Sequence, residues 1–197
     1  MCMSRVEKWF VNSARRRRSR RAQARRLLSH TQVKAADAYL EVGCGNGAVT
    51  ASAAADFGLK VTGVDVDVAQ VELAQNAFGS TSARFVVADA AHLPFGDASF
   101  DIVLSFMVTH HIRQLSLALQ EIRRVLKPGG YFVYADVSLP SIVASISGIA
   151  GHGYHLPRSS VMRGALERCG FVEVHASRHA TQFYGPFEAV YVRGRRS

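Results

Sequence analysis

Residues 39–50, Tyr-Leu-Glu-Val-Gly-Cys-Gly-Asn-Gly-Ala-Val-Thr, constrain this chain more than any other stretch. An apolar run, Ala38 to Val42, meets three glycines at alternate positions, Gly43, Gly45 and Gly47, and passes at once into the helix-forming segment Ala48 to Phe57. Glycines there let the backbone turn sharply from strand to helix and let a ligand lie against the main chain, with a helix N-terminus behind it. The spacing is G-x-G-x-G, not the G-x-G-x-x-G that cradles a dinucleotide pyrophosphate. Glu41, just before the loop, would repel phosphate and favour a cationic group such as an ammonium or a sulfonium.

The same alternation continues down the chain. Apolar runs at 60–64, 84–88, 101–106, 131–135, 171–176 and 189–192 are separated by helical periodicity at Val68 to Phe78, Arg113 to Leu126 and Ser159 to Cys169. Short apolar runs alternating with amphipathic helices predict a doubly wound, Rossmann-like α/β sheet. Lys127-Pro128-Gly129-Gly130 reads as a helix stop and tight turn before the fifth strand. Only the turn-rich Tyr184-Gly185-Pro186 separates the last two runs, so they are expected to form a hairpin. The expected sheet has seven strands, mostly parallel, with one antiparallel strand at an edge.

Charge divides the chain unevenly. The net charge is +9, but residues 1–34 carry eleven Lys/Arg against the single acid Glu7, leaving a net −1 for residues 35–197. This predicts a basic helical N-terminal arm over 1–34 and one nearly neutral domain over 35–197. In the arm, Val6, Trp9 and Phe10 form a short amphipathic turn, Ser13 is placed to cap a helix, and Leu27 and Leu28 mark its inner side. Cationic side chains over residues 5–26 suit an anionic membrane surface or a nucleic acid, and equally a solvated helix face. Cys2, Cys44 and Cys169 have no metal-ligand spacing, so no metal is expected and a reducing, cytoplasmic setting fits, at or away from a membrane. The Arg-rich, acid-poor start also has the composition of an organelle transit peptide.

Further acids fall where strands end. Asp65 closes the second strand, where a carboxylate can accept from both hydroxyls of a ribose, and Asp89 follows the third, beside the backbone N–H of Ala90. Together with Glu41 they would recognise an ammonium, a ribose and an adenine, which are the groups of S-adenosylmethionine. Either aspartate also suits a helix N-cap. The blocks YLEVGCGNGAVT, VTGVDVD, ARFVVADAAHLPFGDASFDIVLSFMVTHHI and EIRRVLKPGGYFVYADV, spanning residues 39–137 in order, resemble the class I S-adenosylmethionine-dependent methyltransferases, in the broad group that includes the quinone-biosynthesis enzymes. The resemblance implies that Glu41 holds the methionyl amino group, directly or through water. It implies that Gly43, Cys44, Gly45 and Gly47 line the methionine and ribose, and that Asp65 takes the ribose hydroxyls with Val66 beside the adenine. Asp89 and Ala90 would bind the adenine edge, and Phe106 would close over the methionyl moiety.

The acceptor is less legible. His110 and His111 follow the fourth strand, where an acceptor would meet the donor methyl, and His155 lies with His152 and Tyr154 in the connection 138–158, expected to form part of the acceptor pocket. These histidines are candidate bases for an acceptor that must lose a proton, and equally candidate lining residues. The leading expectation is methyl transfer to a small molecule. A membrane-associated enzyme acting on a quinone precursor or phospholipid is the alternative, and an RNA-binding or RNA-modifying protein of the same fold is a third. The chain has neither a Pro-Cys dipeptide nor a polar-Pro-Pro-aromatic stretch after the fourth strand, which removes the two sharpest signatures of base methylation.

Overall fold

The computed structural model describes residues 14–138, 159–178 and 185–193. Strand β1 (Ala38–Val42) pairs in parallel with β2 (Lys60–Asp65) on one side and with β4 (Phe100–Phe106) on the other. Beyond them lie β3 (Arg84–Val87), parallel to β2, and β5 (Leu126–Ser138), parallel to β4. Strands β6 (Phe171–Arg178) and β7 (Gly185–Arg193) complete a mostly parallel sheet in the order β3-β2-β1-β4-β5-β7-β6.

The expectation of a reversed strand at the edge is corrected. The reversed strand, β7, lies inside the sheet, antiparallel to both β5 and β6, and β6 is the outer strand. A hairpin return can fill the gap between two parallel strands because antiparallel neighbours need no crossover helix. The expected turn at Lys127–Gly130 is also revised. Pairing of β5 begins at Leu126, opposite Phe100, and resumes at Tyr131, opposite Ile102, so the Pro-Gly-Gly segment is an irregular lead-in to the strand itself. Lys127 Nζ anchors it to both oxygens of Asp101, at 2.9 and 2.8 Å.

Helices cover both faces. On one side α1 (Ala14–Leu28), α2 (Ala48–Phe57) and α3 (Val68–Phe78) pack on the sheet; on the other lie α4 (Leu115–Val125) and α5 (Ser159–Arg168). Strand β1 is buried on both sides: Tyr39 joins Leu27, Val49 and Leu104, while Leu40 and Val42 join Leu119, Ile122 and Leu166. A strand covered on both faces reads as a nearly continuous apolar run, broken in Ala38 to Val42 only by Glu41, which is why it could be recognised. Helix α4 begins two residues later than expected, after a 3-10 turn over Thr109–His111. Its buried Ala118, Leu119, Ile122 and Val125 lie on one face, and burying a side chain the size of leucine contributes roughly 1.5–3 kcal/mol.

The arginine-rich segment is built into this core along one face. Ala24, Leu27 and Leu28 are buried against α2 and the sheet, with Arg20 and Gln23 half-buried on the same stripe. Arg18, Arg21, Arg25 and Arg26 point outward and are exposed. Val6, Trp9, Phe10 and the proposed cap Ser13 lie outside the described residues.

Two exposed positions, Ala36 and Ala98, adopt the left-handed conformation. Ala98 has φ of 51° in the turn before β4, where its N–H donates to the Arg124 carbonyl at 2.9 Å. A left-handed conformation costs an L-residue about 1–2 kcal/mol, more than the roughly 0.5–1 kcal/mol that glycine loses in unfolded-chain entropy. Ala98→Gly should therefore stabilise the protein by ~0.5–1 kcal/mol, measured as a higher urea midpoint at unchanged m-value.

Candidate functional site

The carboxyl ends of β1, β2 and β4 surround a crevice entered by the glycine loop. Gly43, Gly45 and Gly47 all have positive φ, at 75°, 52° and 75°. The Val64 carbonyl accepts from both Gly43 N–H at 2.8 Å and Cys44 N–H at 2.9 Å, so the loop is tied to the end of β2. A Cβ on Gly43 would meet Val108 Cγ2 at 2.3 Å, whereas one on Gly45 would come no closer than 3.8 Å to anything, the Gln70 Oε1. Gly43 is thus required by the approach of the chain after β4, and the open side of the loop is at Gly45.

Asp65 clamps this geometry. Gly45 N–H donates to its Oδ2 at 2.8 Å and Asp67 N–H to its Oδ1 at 2.9 Å, while Asp67 takes the N-cap of α3 by accepting from Ala69 N–H at 3.1 Å. The cap expected as an alternative for Asp65 therefore belongs two residues on. Burial raises the pKa of Asp65, against the lowering effect of these backbone donors.

Glu41 lies deeper, only 3% exposed, and accepts from the Thr50 hydroxyl of α2 at 2.5 Å. Desolvation pushes its pKa up to about 8, partly offset by the Thr50 hydrogen bond and by the positive charge of Arg20 on α1. Cys44 is buried where Gly63 leaves room, its Sγ 2.9 Å from the place a Gly63 Cβ would occupy, and burial pushes its thiol pKa up. That makes it a packing residue of the loop.

Asp89 uses one oxygen locally, accepting from Ala91 N–H at 2.9 Å in a turn that opens no helix, so the helix-cap alternative does not apply there. The loop it begins is strapped to α4. Arg124 donates to the carbonyls of Leu93 and Phe95 at 3.1 and 2.7 Å and to Asp97 at 2.9 Å, while Glu121 accepts from Leu93 N–H at 2.9 Å. The Arg124 hydrogen bond holds the Glu121 carboxyl below the usual range.

A cavity of about 260 Å³ opens between these elements, its walls including Asp65, Val66, Asp89, Ala90, Val108 and His111. The structure thus brings together the residues expected around a nucleoside. Glu41, buried, does not line the cavity, and Phe106, 4% exposed, belongs to the apolar cluster under α1 and α2. His110 turns to Asp136 at the end of β5, with Nδ1 to Oδ1 at 2.6 Å, and its ring centroid is 4.1 Å from that of His111. His152, Tyr154 and His155 lie outside the described residues.

Three contributors escaped the sequence reading. Asp136 is an acid at a strand's carboxyl end, the same signal that marked Asp65. Arg124 looked like a surface residue of an amphipathic helix. Gln70, fully buried under the open side of the loop, has neither amide atom partnered among the described residues, and polar side chains in a helix give no local sign of this.

A family model described as a methyltransferase domain matches residues 40–134. The chain is similar to the O-methyltransferase cnsE of Penicillium expansum, 40% identical over 102 residues that make up 50% of this chain and 37% of that protein. It is also similar to the 2-methyl-6-phytyl-1,4-hydroquinone methyltransferase of Synechocystis sp., 40% identical over 98 residues, 49% of this chain and 31% of that one. The match thus spans about a third of these relatives' lengths. Among solved structures, the Haemonchus contortus phosphoethanolamine N-methyltransferase 2 in complex with S-adenosyl-L-methionine superposes with a TM-score of 0.78 at 18% identity, over 88% of this chain and 53% of that one.

The raised Glu41 pKa has a thermodynamic signature. Between its ordinary value of 4.5 and about 8, the folded protein keeps a proton that the unfolded chain has released, so stability falls as pH rises through this window. The slope approaches about 1.4 kcal/mol per pH unit. Glu41→Gln should remove it, and urea unfolding of both proteins across the window checks this; parallel slopes would show that Glu41 ionises normally.

Proposed function

We propose that the chain is a class I S-adenosylmethionine-dependent methyltransferase, a reading supported by the methyltransferase-domain match over residues 40–134, and that it transfers the donor's methyl group to a small-molecule acceptor. The observation that carries this is the set of three acids, Glu41, Asp65 and Asp89, grouped at the carboxyl edge of neighbouring strands around a left-handed glycine loop. Their chemistry fits a ligand with an ammonium group, a ribose diol and an adenine. S-adenosylmethionine supplies a methyl on a sulfonium whose departure leaves a neutral thioether, so the protein need not protonate a leaving group.

The protein's own task is then to hold and orient. Glu41, once ionised, offers a buried carboxylate to the ammonium end. Asp65 keeps lone pairs for the ribose while its backbone contacts hold it in place, and the strapped loop presents Asp89 and the Ala90 N–H to the adenine edge. Orientation alone can contribute roughly 7–11 kcal/mol to such a transfer in favourable cases.

Isothermal titration with S-adenosylmethionine and S-adenosylhomocysteine tests this reading. Both should bind, and Asp65→Asn and Asp89→Asn should each weaken them by about 1.5–3 kcal/mol, the usual range for hydrogen bonds to a charged group. Absence of binding at millimolar ligand would sink the proposal.

A second reading is favoured by the outward face of α1, where Arg18, Arg21 and Arg25 recur at helical spacing and stand exposed beside Asp56. Such a face suits an anionic membrane, from which a lipid-soluble acceptor would be drawn. The Synechocystis relative is named for a phytyl-hydroquinone acceptor of that kind. Replacing all three arginines with alanine should weaken sedimentation with phosphatidylserine vesicles by roughly 100-fold, at about 1 kcal/mol per residue near the surface. Equal sedimentation would remove α1 from the membrane account, and tighter binding to RNA than to vesicles would favour a nucleic-acid partner.

A further inference from the structure

A second concave surface lies where α1 meets α2. This groove, of about 520 Å³, is lined by Arg18, Arg21, Ala22, Arg25 and Arg26 of α1 and by Asp56 of α2. It shares no residue with the cavity at the glycine loop. Asp56 belongs to the last turn of α2, whereas the loop enters that helix at Ala48, about 12 Å earlier along its axis.

The arginine row works against the helix that carries it. Arg18, Arg21 and Arg25 stand three and four residues apart on one face of α1, a spacing at which like charges repel. The first turn of α1 holds no acid, although the helix dipole favours one there, and Arg18 follows it directly. Among the described residues the guanidiniums of Arg18, Arg21 and Arg25 take part in no ion pair. What holds α1 is the burial of Ala24, Leu27 and Leu28 on its other face. An anion between the guanidiniums replaces their mutual repulsion with attraction to a shared partner.

The chemistry of the lining narrows that anion. Four guanidiniums against one carboxylate leave the groove net positive, and a planar guanidinium fork matches the oxygens of a phosphate two at a time. The row from Arg18 to Arg25 runs about 10 Å along the helix, with neighbours about 4.5–6 Å apart on the axis. One phosphate reaches only part of such a row, whereas two or more linked phosphates meet successive arginines. The volume falls within the roughly 300–1,000 Å³ of small-molecule sites.

We propose that the groove between α1 and α2 is a binding site for a compact ligand bearing two or more neighbouring phosphates, either a soluble oligophosphate or the headgroup of a multiply phosphorylated lipid. The site stands apart from methyl transfer, and it rests on the membrane reading only where the phosphates belong to a lipid. Arg18, Arg21 and Arg25 grip the phosphate oxygens, and Asp56 limits the affinity by opposing the same charge.

Isothermal titration at low salt with inorganic tripolyphosphate and with orthophosphate tests the site. Tripolyphosphate should bind one to one, and orthophosphate more weakly by roughly ten-fold or more, as expected when charged hydrogen bonds are lost. Replacing Arg18, Arg21 and Arg25 together by lysine keeps every charge and the helix propensity but removes the forks, and should weaken tripolyphosphate by roughly ten-fold or more. Lys60→Ala, which removes an exposed charge outside the groove, should leave binding unchanged, and Asp56→Asn should tighten it. No binding at millimolar tripolyphosphate, or equal binding by the lysine variant, overturns the proposal, because diffuse attraction does not distinguish arginine from lysine. Vesicles carrying a bisphosphorylated inositol lipid or phosphatidylserine, at equal total charge, separate the two sources. A preference for the inositol lipid that the lysine variant loses assigns the headgroup, and tripolyphosphate binding without that preference assigns the soluble ligand. Sedimentation with neither vesicle while tripolyphosphate binds would count against the membrane reading and not against the groove. Tighter binding of single-stranded RNA than of tripolyphosphate overturns the compact-ligand class.

Discussion

Strand β1 is hydrogen-bonded to β2 on one side and to β4 on the other, and the chain leaves these two neighbours for helices on opposite faces of the sheet. Such a point of reversal leaves a crevice at the carboxyl ends of the strands, because no connection crosses it. Everything at the site is placed by that pairing. The Val64 carbonyl holds the glycine loop, Asp65 fixes its turn, and Val108 packs into the space that Gly43 leaves.

The same arrangement concentrates negative charge where the sheet is driest. Glu41 is buried with one hydroxyl donor, and Asp65 is half-buried among backbone N–H groups. Burial makes each of these carboxyl groups harder to ionise, and a neighbouring ammonium would favour the charged form. Helix α1 contributes to this balance from its inner face through Arg20, while its outer arginines face solvent. The basic segment therefore has two chemistries, one turned towards the buried acid and one outward, separated by helical periodicity alone. Among the described residues no helix is long and apolar enough to cross a membrane, so any lipid contact on this part of the chain would be at a surface.

Much of the fold and part of the site could be read from local pattern. The strands, the glycine loop and the acids at strand ends were visible because each depends on a few consecutive residues: a period of two, a turn, a boundary. Leu27 and Leu28 were placed on the inner side of α1 for the same reason. Phe106, expected from its strand-end position to close over the methionyl moiety, packs in the cluster beneath α1, a contact that strand position alone does not reveal. Arg124 and Asp136 went unread because their partners lie 26 to 31 residues away in sequence. The reversed strand was foreseen as part of a hairpin, yet its position between β5 and β6 depends on which edge the hairpin finds.

The sequence by itself determined that a strand would end in a left-handed glycine turn, that acids would lie at or just past the ends of β1, β2 and β3, and that the charge excess would lie in one helix. These are properties of neighbouring residues, set by backbone sterics and by the alternation of side chains. Only the tertiary structure decided which acids would be dry, which arginine would face Glu41, and that a histidine after β4 would meet an aspartate near the end of β5. Those outcomes depend on strand order and register, which bring together groups that no local pattern connects, and on burial, which sets the strength of every charge it encloses.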